Sequence, residues 1–318
     1  MRSPLPIPRV RNRRLVVYSR VDSPLGARLA RAQGLFSEFH AVLGALKFAE
    51  VNEARDLLVR FDSEYYLDEA RGPNWWAYFF DELMPVNEGR GPLEEVHCRG
   101  WHRYGPHFFN ESWTALSIPT NSARQPFPLG APESLDECRR LTRAHIRVKP
   151  WMAAEVEGFL RSNTEGADFV LGVHFRGTDK TVQHPGQAPS LAAYERQIER
   201  LLDHYGPRKP KIFFAADQRG FLDWAESRYG DRACFLANTP VADASAKSQG
   251  GVHHDRRFSP FEKGRTAVLT CLLLSRCRHL LKNRSSLSDC ALEFNESLPW
   301  TMLLGDDVAH CEVAATGR

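Results

Sequence analysis

The 318-residue chain has no uninterrupted apolar run approaching the roughly 18 residues of a membrane-spanning helix. Its basic start, MRSPLPIPRVRNRR, lacks an apolar stretch of signal-peptide length. A cytoplasmic protein with no transmembrane segment is the resulting expectation. Charge imbalance is also missing: 42 Lys+Arg stand against 39 Asp+Glu, a formal net charge of +3. Nucleic-acid binders carry a positive surplus, so no nucleic-acid partner is expected. The seven cysteines, Cys98, Cys138, Cys234, Cys271, Cys277, Cys290 and Cys311, offer no CxxC or HxxxC spacing. Most read as reduced core thiols, and no metal site is expected. Lysine is scarce, 8 residues against 34 Arg. This bias fits genomic base composition, with room for a few guanidinium forks on phosphate. Repeats and low-complexity tracts are absent.

What is present is a 42% hydrophobic, 25% charged composition, which is globular, and a length suited to two domains. Residues 1–12 read as a Pro/Arg-rich flexible arm, 13–150 as a first domain and 151–318 as a second. Arg14–Tyr18 reads as a strand, Leu35 to about Glu50 as a helix, and Asp56–Phe61 as a strand. The run Trp75, Trp76, Tyr78, Phe79, Phe80 reads as a short packed helix rather than a sugar-stacking surface. Residues 85–130 show no clear period. Ser134 to about Asn163 looks helical, with Pro150 opening a second helix.

The second half alternates strand and helix. DFVLGVHF (168–175) reads as a buried parallel strand. Ser190 caps a helix that Gly206 ends, Lys211–Ala215 is a strand, a helix lies near Gly220–Tyr229, and Arg232–Leu236 is a strand. Ser259-Pro260-Phe261-Glu262 is a capping box opening a buried helix to about Cys277. His279–Lys282 is a strand, and Ser285/Ser286 open a last helix. This alternation implies a parallel α/β sheet.

Ligands of such sheets bind beyond the carboxyl ends of the strands. Those ends carry His174, Arg176, Thr178, Asp179 and Lys180; Asp217 and Gln218; and Asn283, Ser285 and Ser286. Arg176 suits a phosphate bidentately, Lys180 adds a point charge, and a helix start at Ser286 offers backbone N–H groups to an anion. Asp217 can accept from a ribose hydroxyl or a base amine. Together these suit a nucleotide diphosphate; an ordinary ion pair capping the strand is the plainer alternative.

GVHFRGTDK (172–180) resembles the HxRxTDK motif of the α1,6-fucosyltransferase family, which is related to the nodulation and protein O-fucosyltransferases. FFAADQ (213–218) and the stretch from Glu262 to Leu287 resemble further family segments in the same order. Gly34-Leu35-Phe36-Ser37-Glu38 loosely resembles the family's glycine-rich N-terminal loop. The resemblance implies the GT-B fold, two Rossmann-like domains facing across a cleft, with the first on the acceptor side and the second binding the nucleotide sugar. It implies GDP-fucose as donor, a glycan or glycolipid acceptor and no cofactor. Arg176 matches the diphosphate-binding arginine, His174 its companion, Asp217 a guanosine contact, and Ser285 and Ser286 the phosphate turn. Arg265 is a further candidate for the phosphates.

Charge develops on the departing GDP, and fixed cations or a metal must stabilise it. No DxD triplet occurs, so the expectation is a metal-independent, inverting transfer stabilised by Arg176, Lys180 and the N–H groups near Ser286. Inversion needs a base. The family's Glu is His184 here, and Glu38 is its rival. Thr270, Leu287 and Gln218 also depart from the family pattern. Two alternatives stay open: the same fold with another nucleotide sugar, or a sugar-nucleotide or glycan-binding protein without turnover.

Overall fold

The computed structural model describes residues 9–18, 34–87, 92–98, 132–178, 188–242, 252 and 255–313. These divide into two compact units. The first holds the described residues up to Met152 together with Ser259–Arg265; the second holds Ala153–Phe258 and Thr266 onward. No helix in either is long and apolar enough to cross a membrane among the described residues.

The first unit contains strands β1 (Arg14–Tyr18), β2 (Asp56–Arg60) and β3 (Glu95–Cys98), and helices α1 (Leu35–Val51), α2 (Trp76–Phe79) and α3 (Pro132–His145). The strands form a parallel sheet of order β2-β1-β3. β3 lies in the stretch whose sequence shows no period. α1 forms around Phe39, Val42, Leu43 and Leu46, all fully buried, and its first N–H, at Leu35, donates to the Tyr66 hydroxyl at 2.9 Å. The aromatic run is core, as its composition suggests: Trp75, Trp76, Phe79 and Phe80 are buried, and the Trp75 indole N–H donates to Ser63 at 3.0 Å. Trp76 and Phe80 lie 4.4 Å apart, and Phe39 sits 5.8 Å from Trp76.

Ser259–Arg265 joins this unit for a packing reason. Phe261 lies 5.5 Å from Phe79 and 6.1 Å from Trp151, and the Arg71 guanidinium caps its ring at 3.5 Å. Three residues on, Gly264 approaches Phe79 so closely that a Cβ would stand 2.6 Å from the ring. A helix interior tolerates glycine here because no side chain fits.

The second unit contains most of α4 (Pro150–Thr164), then β4 (Phe169–Phe175), α5 (Leu191–Tyr205), β5 (Pro210–Ala216), α6 (Arg219–Tyr229), β6 (Ala233–Phe235), most of α7 (Pro260–Ser275), β7 (His279–Lys282), α8 (Ser286–Phe294), β8 (Trp300–Leu304) and β9 (Asp307–Cys311). Its six-stranded sheet has the order β6-β5-β4-β7-β8-β9. Ser190 caps α5 through its hydroxyl to the Ala193 N–H (3.1 Å), and Gly206, at φ +57°, closes it in the left-handed region. The capping box forms at α7, where the Glu262 N–H donates to Ser259 at 3.1 Å. One sequence expectation needs correction: strand and helix do not alternate to the end. β8 and β9 follow α8 as an antiparallel pair, so the sheet is mixed. β9 alternates exposed and half-buried positions, as an edge strand does, and carries no apolar run to announce it.

Strand order positions the sites. From β4 the chain winds outward through β5 and β6, then returns to the opposite side of β4 with β7. From β1 it winds to β2, then returns to the opposite side with β3. Each sheet therefore has a topological switch point, at β4/β7 and at β1/β3, where connections leave in opposite directions and open a crevice at the carboxyl ends.

Candidate active site

The β4/β7 switch point carries most of the sequence candidates. β4 ends in a loop held from both neighbouring strands. From β7, Asn283 clamps it twice: its Oδ1 accepts from the Arg176 N–H and its Nδ2 donates to the Arg176 carbonyl, each at 2.8 Å. From β5, Asp217 takes the other side. One oxygen accepts from the Gly177 N–H (2.8 Å); the other accepts from the Thr178 hydroxyl (2.5 Å) and N–H (3.3 Å) and pairs with Arg176 Nε at 3.2 Å. Gly177 is required by closeness, since a Cβ would meet the Phe175 ring at 2.4 Å and Gln218 at 2.7 Å. Behind the loop, Phe175 stacks on Phe221 at 4.4 Å, and the Tyr194 hydroxyl donates to the His174 carbonyl at 2.8 Å.

Asp217 is thus a builder of this loop. It is 7% exposed and both its oxygens are engaged inside the chain, one of them with Arg176. The Arg176 side chain is 20% exposed and oriented by the carboxylate on its Nε edge. Asn283 was noted in the sequence only as a polar strand end; its double clamp depends on β7 lying beside β4, which sequence spacing does not state.

His174 is buried, and its Nδ1 has no hydrogen-bond partner among the described residues. Burial pushes its pKa down to about 3, with Arg176 and Lys282 adding repulsion. The imidazole is neutral at physiological pH. Burial likewise lowers His279, the first residue of β7, to about 4. Depressed histidines bind protons in the unfolded chain before the folded one, so stability is full above the ordinary histidine pKa and falls as pH drops toward 3–4. The urea midpoint is expected to fall between pH 6.5 and 4, less steeply in His174→Gln; an equal slope in the variant contradicts this.

Ser285 precedes α8 in extended backbone, and its hydroxyl makes no cap bond to the helix. Its carbonyl accepts from the Asp289 N–H at 3.0 Å, closing the first turn. Ser286 begins the helix three residues after Asn283, so the first turn follows directly on the β4 loop's clamp. Below the turn, Lys282 is fully buried and pairs with Asp289, with its ammonium 5.5 Å from the Trp300 ring. Arg284 lies within electrostatic reach of Asp289, while burial lowers its pKa. The Lys282–Asp289 pair was missed in the sequence, where Asp289 is one of four polar residues in the helix Ser286–Phe294.

The remaining candidates fall elsewhere. Lys180 and His184 lie outside the described residues, as does Asp179. Glu38, buried in α1, and Arg265, paired with Glu262 at 3.0 Å, belong to the first unit.

No protein-family model and no curated protein matches the chain. Solved structures do. NodZ α-1,6-fucosyltransferase soaked with GDP-fucose matches with a TM-score of 0.54 and 14% identity, over 92% of this chain and 95% of that one. The fucosyltransferase NodZ from Bradyrhizobium matches with a TM-score of 0.53 and 15% identity, over 92% and 96%. POFUT1 in complex with GDP matches with a TM-score of 0.50 and 11% identity, over 92% and 99%. At these identities the likeness is one of fold: the chain has the mixed α/β GT-B fold of these fucosyltransferases.

Proposed function

We propose that the chain is a glycosyltransferase that moves a sugar, first of all fucose, from a guanosine diphosphate donor to a hydroxyl of a glycan or glycolipid. The observation that carries this is Arg176, held at the β4/β7 switch point by Asp217 on one side and Asn283 on the other, next to the start of α8. Such an arrangement suits a diphosphate, whose oxygens match a guanidinium fork and helix-start N–H groups. The same fold carries GDP-fucose in the soaked NodZ structure and GDP in POFUT1, which supports the donor class.

In this reading, the bond between the sugar and the β-phosphate breaks while the acceptor oxygen attacks the opposite face of the anomeric carbon. Arg176, Lys180 and the first N–H groups of α8 stabilise the charge growing on GDP, and His174 stays neutral behind them. The donor brings its own activated bond, so the reaction needs no resident cofactor. Transfer is inverting and metal-independent, with His184 or Glu38 as base. Thermal shift with GDP, UDP and GDP-fucose tests the donor: GDP and GDP-fucose should stabilise the protein, and a larger shift with UDP would sink the assignment. Turnover abolished by EDTA would refute the metal-free step. GDP binding with no turnover of any nucleotide sugar would leave a binding protein instead.

A further inference from the structure

The β5 side of the active-site loop carries an amide that the donor reading does not use. Asp217, just past β5, has both oxygens engaged inside the chain, so the polar group left at that strand end is its neighbour, Gln218. The backbone of Gln218 is pinned on both sides. The Asp217 carbonyl accepts from the Ala242 N–H at 2.9 Å, and the Arg219 N–H donates to the Ala242 carbonyl at 3.0 Å. Gln218 occupies the cap position of α6 in extended backbone, yet its side chain makes no cap bond to the helix. The side chain lies instead against Gly177, with its Cδ and Oε1 each 2.7 Å from the point a Cβ would occupy. Glycine at 177 therefore leaves room for this amide, directly after Arg176.

Gln218 is half-buried, and its amide makes no hydrogen bond among the described residues. A primary amide brings two N–H donors and an oxygen with two lone pairs. Helix capping does not account for it, since the short side chains of Ser, Thr, Asn and Asp fill that role. A side chain with its hydrogen-bonding capacity unspent, held at the carboxyl end of a parallel strand, is placed for a ligand. Charge divides that ligand between Gln218 and Arg176. The guanidinium takes the anionic diphosphate. A neutral amide pairs best with neutral groups that both donate and accept, as the ribose hydroxyls and base edge of a nucleoside do. A carboxylate in its place would only accept.

We propose that Gln218 reads the nucleoside half of the donor and sets which nucleotide the protein prefers. This role rests on the proposed guanosine diphosphate donor and adds to it a specificity residue, in place of Asp217, whose oxygens the loop consumes. The test is calorimetric binding of GDP, 2′-deoxy-GDP, IDP (which lacks the base amine), UDP and inorganic pyrophosphate to the full chain. Gln218→Met keeps the side-chain length and the packing on Gly177 while deleting the hydrogen bonds, so a merely structural side chain would be replaced without loss. The variant should weaken GDP about fivefold or more, the scale of one lost hydrogen bond, and leave pyrophosphate unchanged. The penalty should shrink with 2′-deoxy-GDP if the partner is the ribose hydroxyl, or with IDP if it is the base amine. Unchanged GDP affinity in Gln218→Met, a parallel loss of pyrophosphate, or an undiminished penalty with both analogues each overturns the role of Gln218, while wild-type GDP binding leaves the donor reading standing. Tighter wild-type binding of UDP, with the same penalty in Gln218→Met, refutes guanosine and keeps Gln218 as the nucleoside contact. Binding of none of these ligands refutes both.

Discussion

Arg176→Ala is expected to lower kcat/KM for GDP-fucose by about 10²–10³-fold, the usual consequence of deleting a preorganised donor to a developing anion. The guanidinium is preorganised because Asp217 meets its Nε edge at 3.2 Å and Asn283 grips the same residue's backbone on both sides. Folding should suffer far less than catalysis. Asp217 keeps the Gly177 N–H and the Thr178 N–H and hydroxyl after the truncation, so no buried carboxylate is stranded. Arg176→Lys should not restore the rate, because a point charge replaces a planar fork whose orientation the carboxylate sets. Asp217→Asn should weaken turnover through the same residue, with the Arg176 backbone still clamped. Initial rates with GDP-fucose, read beside thermal melts, decide the matter. Wild-type rates in Arg176→Ala would remove the basis of the proposed function.

Lys282→Met carries the largest expected stability effect, a loss of about 3–5 kcal/mol. Lys282 and Asp289 are 0% and 2% exposed at their side chains, and they pair below the turn that opens α8. Removing the ammonium leaves a buried carboxylate without its ion-pair partner, with Arg284 still in electrostatic reach; its Oδ2 already has no hydrogen-bond partner among the described residues. Lys282→Met/Asp289→Leu should recover most of that loss, because apolar side chains of similar volume carry no desolvation penalty. Urea unfolding of the single and double variants gives the two values. A double variant as unstable as the single one would show that the loss arises from packing rather than from a stranded charge.

The elements legible in the sequence are those whose signal is local. β4 reads from its own apolar run, α5 from Ser190 and Gly206, and α7 from its capping box. Each depends on residues within a few positions of one another, and each formed where the pattern placed it. β3 was illegible because a four-residue strand, EVHC, has too little alternation to stand out. β8 and β9 were missed for related reasons: one is short and apolar apart from Thr301, and the other alternates weakly at an edge. Within the site, the residue types were visible and the jobs were not. Asp217 was readable as a polar strand end, but its hold on Gly177, Thr178 and Arg176 requires β5 beside β4.

By itself, the sequence determined the α/β character, the helix caps, the buried strands and the cluster of polar residues at the strand ends around Arg176. Those features follow from periodicity, capping chemistry and the resemblance around residues 172–180. Tertiary structure alone decided which strands are neighbours, and with that which side chains meet. Arg176 and Asn283 are 107 residues apart in the chain, and Tyr18 and His97 are 79 apart. Hydrogen bonds of about 3 Å specify direction as well as distance, so they form only after sheet order has placed β7 against β4 and β3 against β1.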